Sequence, residues 1–392
     1  MPAFNRRYFL KASGAGILPA LIPFSSVLAA DTKRTAIAPP ELPVVNFWAD
    51  GLMFNPTEYL AELQKANAAL PIKADRYGKG GAVEALEKKF ADITGKEKAI
   101  YVPSGTMANQ LAIALLSGEN TKIFVQDTSH VYRDEADAAQ SVFQKRLMPL
   151  AKGETYFTAQ QLQAAIENLK EEEVFKTSVG AISIENPVRR KDGGTVPIEE
   201  IKKISTYCRA NNIKLHLDGA RIYIAAAWTN TPVKEYAAYF DTVYISLYKY
   251  LGASGGAMLC GPATVIDKMP HLIKIHGGSM YQNWNNAAMA LHRLEGIELR
   301  FQKAISQSKE VFAAINTIPG LNIKAIDGGS NIYTLTLAKE IDGKKLSDKL
   351  FDNFKIDINY PNDKNEIHIT VNETLGNQTV GYITDAIKRS IV

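Results

Sequence analysis

Thr242-Val-Tyr-Ile-Ser246-Leu-Tyr-Lys249-Tyr-Leu-Gly252-Ala-Ser-Gly-Gly256-Ala-Met-Leu-Cys-Gly261 is the stretch on which the fold turns. Its apolar, β-branched and aromatic run predicts a buried strand over 243–247, and a second strand over 256–259 follows a Gly-rich turn. A single lysine, Lys249, is carried into that turn. Lysine is rarely buried without a use, because burial disfavours the ammonium. A buried Lys249 would hold a free amine able to attack a carbonyl. A solvated lysine at a strand end is the competing reading.

Upstream lies Lys214-Leu-His-Leu-Asp218-Gly-Ala-Arg221. A strand over 213–217 delivers Asp218 to its carboxyl end, where parallel sheets bind ligands. A carboxylate buried there needs a partner. The protonated ring nitrogen of a cofactor would serve, or Arg221 in a purely structural ion pair. Further upstream, a strand over Lys98–Val102 enters the turn Pro103-Ser104-Gly105-Thr106, and a helix over 106–117 begins at once. The first amides of a helix lack internal partners and face the positive end of its dipole. Gly105 with the hydroxyls of Ser104 and Thr106 therefore reads as a phosphate cradle. An ordinary N-cap is the alternative. Phosphate cradle, ring-nitrogen carboxylate and amine nucleophile, in that order, are what pyridoxal 5'-phosphate requires.

The surrounding pattern alternates. Helices are predicted at 58–70 and 82–94, the second closed by Gly95, with strands at 121–126 and 179–184 and a helix opened by Pro197. That rhythm predicts an α/β domain with a mainly parallel sheet over 46–290. One long helical stretch over 286–317 leads into a smaller C-terminal α+β domain, 291–392, with strands near 321–326, 331–337 and 366–371 and helices near 343–353 and 377–390. The acidic run Glu171–Glu173 reads as a solvated helix end.

These pieces resemble the β-eliminating lyase/threonine aldolase family of fold-type I enzymes that use pyridoxal 5'-phosphate. The resemblance rests on Arg76-Tyr77-Gly78, Pro103-Ser104-Gly105-Thr106, His130-Val-Tyr-Arg-Asp134-Glu135, Glu185-Asn186, Leu217-Asp218-Gly219-Ala220-Arg221 and Lys249-Tyr-Leu-Gly252-Ala. It implies a fold-type I transferase-like architecture and assigns roles. His130 stacks on the cofactor ring; Gly105 and Thr106, with Ser104, hold phosphate; Asp218 meets the ring nitrogen. Arg221 faces the phenolic oxygen or the substrate carboxylate, and Lys249 forms the Schiff base. Lys249, His130 and Asp218 are the expected catalytic set. The resemblance also implies a homodimer or homotetramer acting on a small amino-acid substrate.

The substrate side departs from the family. Ala49-Asp50 stands where a Ser usually precedes the Asp, Tyr248 where a Ser usually precedes the lysine, and Pro187-Val188-Arg189-Arg190 where a His usually follows Glu-Asn. A late strand that usually supplies an Arg reads Glu366-Ile-His368-Ile-Thr370. Arg189 or Arg190 replaces the carboxylate clamp, or forms a solvated basic loop with Lys191; His368 is either a packed strand residue or a substrate contact. The expected function is a lyase, with retro-aldol cleavage of a β-hydroxy-amino acid as the leading reaction. β-Elimination, transamination, racemisation and a non-catalytic cofactor-binding protein stay open.

The 392 residues are 46% hydrophobic and 22% charged, a globular composition. The formal charge of +4 gives no reason to expect nucleic acid. Arg6, Arg7 and Lys11 carry most of that excess, in a segment over 1–30 without acids. Arg6-Arg7-Tyr8-Phe9-Leu10-Lys11, an apolar run to about Leu28 and Ala29-Ala30 resemble a twin-arginine signal, followed by a tether over 31–45. The run carries Pro19 and Pro23 and is too short to span a bilayer, so export to a periplasm without lasting membrane insertion is expected. Cys208 and Cys260 sit in apolar runs and read as inert buried thiols, and no metal-ligand cluster is expected.

Overall fold

The computed structural model describes residues 42–391 except residue 176. The expected signal peptide and nearly all of the tether lie outside the described residues. A seven-stranded sheet organises the first part of the chain. Its strands are β1 (Lys98–Val102), β2 (Lys122–Gln126), β3 (Arg146–Leu150), β4 (Val179–Glu185), β5 (Lys214–Asp218), β6 (Thr242–Ser246) and β7 (Ala257–Gly261). They lie in the order β1-β7-β6-β5-β4-β2-β3. All neighbours are parallel except β7, which runs antiparallel to both β1 and β6.

Apolar residues on both faces bury this sheet, as a helix-covered parallel sheet requires. Val243, Ile245, Met258 and Cys260 pack with Phe90, Ile201 and Ile204 on one side. Tyr244, Ala257 and Leu259 pack with Ala108, Leu111 and Met269 on the other. The helix that contributes Ala108 and Leu111, Gly105–Ser117, starts where β1 ends and is capped by Ser104, whose Oγ accepts from Met107 N at 3.2 Å. Cys208 and Cys260 are buried free thiols, pushed up to about 12 by burial.

A second core follows around β8 (Leu321–Ala325), β9 (Ile332–Leu337) and β10 (Glu366–Thr370), an antiparallel sheet with β9 at its centre. Val45 and Phe47 belong to this core, because Val45–Asn46 pairs in parallel with Ile356–Asp357. The opening segment is thereby held to the C-terminal part of the chain.

Three readings of the sequence are corrected. The helical stretch over 286–317 is two helices, Trp284–Leu294 and Ile297–Ile315, broken where Gly296 takes φ 66°. Strand β3 was not predicted; it lies at the sheet edge and contains Pro149, which weakens the strand signal. The acidic run is more than a solvated end, since Glu173 pairs with the buried Lys122 and with Arg146.

Candidate active site

Strand register brings the chemistry together. Glu185 at the end of β4 stands opposite Asp218 at the end of β5, and Asp218 stands opposite Tyr244 of β6. Ser246 closes β6, and Lys249 lies three residues beyond it. All of these occupy the carboxyl edge of the sheet, where open α/β sheets bind ligands. Gln126, ending β2, fixes that edge: Glu185 N donates to its Oε1 at 2.7 Å, and its Nε2 donates to Glu185 O at 3.0 Å.

Asp218 is 2% exposed. Ala220 N donates to its Oδ1 at 3.2 Å and Asn109 Nδ2 to its Oδ2 at 3.0 Å. The second hydrogen of Asn109 Nδ2 goes to Glu135 Oε1 at 2.8 Å, and the same oxygen lies 2.9 Å from His130 Nδ1. His130, Glu135 and Asp218 each place one polar side-chain atom within 4.8 Å of the others. The Glu135 hydrogen bond raises the His130 pKa, against burial and with help from Asp218. Glu185 accepts from His130 N at 2.7 Å and from Arg189 N at 2.8 Å. Burial beside Asp218 pushes the Glu185 carboxyl pKa up.

Burial also sets the Lys249 amine, first, and the Arg221 cation, second: together they lower its pKa to about 8, against the pull of Asp218, Asp50 and Glu185. Arg221 grips Asp50 in a two-bond fork at 2.7 and 2.9 Å. The expected alternative, an Arg221–Asp218 pair, is therefore not what forms. Gly51, next to Asp50, sits so close that a Cβ there would lie 3.1 Å from Tyr250 Cα. Asn372 Nδ2 holds this opening loop through Asn46 O and Ala49 O, at 2.9 and 2.8 Å. The loop thus brings Asp50 to the Lys249 turn from some two hundred residues away.

At the other end of the site, the helix Gly105–Ser117 presents its first amides. Ser104 serves as N-cap, the bland reading, yet the amides of Gly105 and Thr106 carry no recorded hydrogen bond among the described residues. Gly105 is needed for a reason the sequence did not suggest: a Cβ there would overlap the Tyr244 phenol. Ser246 Oγ is buried beside the Tyr244 phenol, with no other hydrogen-bond partner. A phosphorylated pyridine aldehyde fits this donor set. There are free helix amides and a buried hydroxyl for an oxyanion, a buried carboxylate for a ring nitrogen, and an amine of depressed pKa for the carbonyl.

The substrate-side residues settle differently. Arg190 spends two donors on Asp134, at 2.9 and 2.5 Å, while Arg189 reaches the same carboxylate once, at 3.3 Å. The hydrogen bond from Arg190 holds Asp134 below the usual carboxylate range. His368 is half-buried on its strand, and its Nδ1 lies 3.3 Å from Asp192 Oδ1, in the turn that follows the two arginines. Sequence reasoning gave no role to Asn109, Glu135, His216, Asp50 or Glu185. The available signal was an asparagine within an apolar helix, which burial obliges to find partners.

Known proteins resemble this chain in sequence and in fold. The sequence profile described as "Beta-eliminating lyase" matches residues 55–337. The low-specificity L-threonine aldolase of Candida albicans is 36% identical over 212 residues, 54% of this chain and 56% of that one. The low specificity L-threonine aldolase of Escherichia coli O157:H7 is 30% identical over 242 residues, 61% of this chain and 70% of that one. A protein named alanine racemase from Cochliobolus carbonum is 33% identical over 203 residues, half of each chain. Matches to the fungal aldolases span little more than half of those proteins' length. Among solved structures, the Leishmania major threonine aldolase superposes with a TM-score of 0.67 at 16% identity, covering 89% of this chain and all of that one. An Exiguobacterium sp. 255-15 structure, provisionally labelled an aromatic amino acid β-eliminating lyase/threonine aldolase, gives 0.74 at 24% identity, covering 89% and 98%. At these identities the structures establish a shared fold.

Proposed function

Because the chain belongs to the β-eliminating lyase family, we propose that it is a pyridoxal 5'-phosphate enzyme that breaks a bond at the α-carbon of an amino acid, with retro-aldol cleavage of a β-hydroxy-amino acid as its reaction. The observation that carries this reading is the convergence of Lys249, Asp218 and the free amides of Gly105 and Thr106 on one sheet edge. When bound, the cofactor supplies an aldehyde that captures the substrate amine and a ring that draws electrons from the α-carbon. Lys249 would hold that aldehyde, the helix amides with Ser104, Thr106 and Ser246 would hold its phosphate, and Asp218 would keep a proton on its ring nitrogen.

The remaining steps belong to this chain's own side chains. Glu135 accepts the Nδ1 proton of His130, which leaves Nε2 with its lone pair and orients it as a proton acceptor. A buried carboxylate behind an imidazole also stabilises the imidazolium once Nε2 is protonated. Arg221, locked on Asp50, adds a fixed positive charge beside the Lys249 amine and favours its free form. Arg189 is the arginine with donors to spare, and we assign it the substrate carboxylate. Arg189→Met should raise KM for threonine by roughly ten- to hundredfold with a smaller change in kcat. Arg190→Met should do less, because Arg190 is engaged with Asp134.

Product analysis with threonine tests the reaction: glycine and acetaldehyde support it, whereas ammonia and a keto acid would replace it with elimination. Racemisation is the second reading. The racemase relative favours it, as does the run Pro187-Val188-Arg189-Arg190, which carries no His after Glu185-Asn186. Loss of optical rotation from L-alanine would select it.

The finer parts of the reading concern place and assembly. Arg6-Arg7-Tyr8-Phe9-Leu10-Lys11 supports export by a twin-arginine route to the periplasm. No helix among the described residues is long and apolar enough to cross a membrane. Exposed Met53, Leu60, Tyr77, Met280 and Tyr281 support a homodimer or homotetramer.

A further inference from the structure

We propose that Asn109 is a positioning residue whose one amide lets Asp218 and Glu135 carry their charges side by side. This deepens the cofactor reading above and rests on it. Two carboxylates set which way the Asn109 amide points, and the directions of its other hydrogen bonds follow. Its Oδ1 lies 3.0 Å from His216 Nε2, so that nitrogen donates. His216 Nδ1 then has a lone pair and accepts from the Thr242 hydroxyl at 2.8 Å. His216 is completely buried, and burial lowers its pKa to about 4, so the ring is neutral. Both hydrogens of Asn109 Nδ2 are used, one on Asp218 at 3.0 Å and one on Glu135 at 2.8 Å. Turning the amide over would set its oxygen against two carboxylates.

The consequence is electrostatic. Two carboxylates within one small buried space repel, and the shared Asn109 donor offsets that repulsion. Without that donor, Asp218 is less able to hold a proton on a ring nitrogen, and Glu135 is less able to fix His130. The other groups facing the pair are Glu185, Lys249, Tyr244 and His216, and none of them makes a hydrogen bond to Asp218 or Glu135. Asn109 and Ala220 N therefore supply the protein donors to Asp218, and Asn109 and His130 those to Glu135.

The test is histidine ring-nitrogen NMR of the full chain as purified, with titration of pyridoxal 5'-phosphate binding by absorbance. In the wild type, His216 should be the neutral Nε2–H tautomer across about pH 5–8, and His130 should titrate above the ordinary value of about 6.5. Asn109→Leu should lower the His130 midpoint by about one unit and raise the cofactor dissociation constant roughly tenfold. Asn109→Asp keeps the acceptor for His216, so that tautomer should persist while cofactor affinity falls. Both variants with wild-type His130 midpoint and cofactor affinity would overturn the proposal. So would a wild-type His216 protonated on Nδ1, a reading that stands even where neither variant folds. Failure of Lys249 to bind the cofactor would remove the enzyme reading and leave these histidine results intact.

Discussion

Lys249 is the residue on which the chemistry depends, and its pKa makes a prediction of sign as well as size. A lysine amine lowered to about 8 is a free base at a pH where ordinary lysines are charged. In protein stripped of cofactor, the rate of adduct formation with pyridoxal 5'-phosphate should rise about tenfold per pH unit below 8 and flatten above it. A rise continuing to pH 10, followed by stopped-flow absorbance, would mean the amine is not desolvated. Asp218→Ala should leave the cofactor bound, since helix amides and Lys249 remain, but cut turnover by a factor on the order of a thousand or more. Near-normal turnover would mean that another carboxylate faces the ring.

At the scale of elements, most of the sheet and its helices were legible in the sequence because the chain marks their ends. Gly95 closes its helix as expected, and β1 spans the predicted Lys98–Val102. What stayed hidden has physical causes. Gly296 lies within an otherwise helical pattern, and only its positive φ turns one helix into two. A Cβ there meets nothing nearer than Arg300 Nη1 at 3.7 Å, so Gly296→Ala should cost only the backbone strain, about 1 kcal/mol by chemical denaturation. Gly105→Ala must also displace the Tyr244 phenol and should cost more, roughly 1–3 kcal/mol, with weaker phosphate binding. Equal losses in the two variants would refute this account of Gly105. The site was half legible for a related reason. Lys249, Asp218 and the Ser104–Thr106 turn announce themselves by local pattern, whereas Asp50 reaches Arg221 through pairings 171 residues apart that no local pattern displays.

For the whole molecule, the fold's work is to bring three distant segments to one edge of a sheet. The opening loop is tied by Asn372, the turn after β6 carries Lys249, and the helix after β1 offers its amides. Ile184, completely buried just before Glu185, supports that edge; Ile184→Ala should cost about 2–5 kcal/mol in thermal or chemical unfolding. The most direct test of the account is mass spectrometry of the borohydride-reduced protein after digestion. The account predicts one pyridoxyl group, on the peptide containing Lys249, and its disappearance in Lys249→Ala. No such group on that peptide, or one that persists on another lysine in the variant, would contradict it.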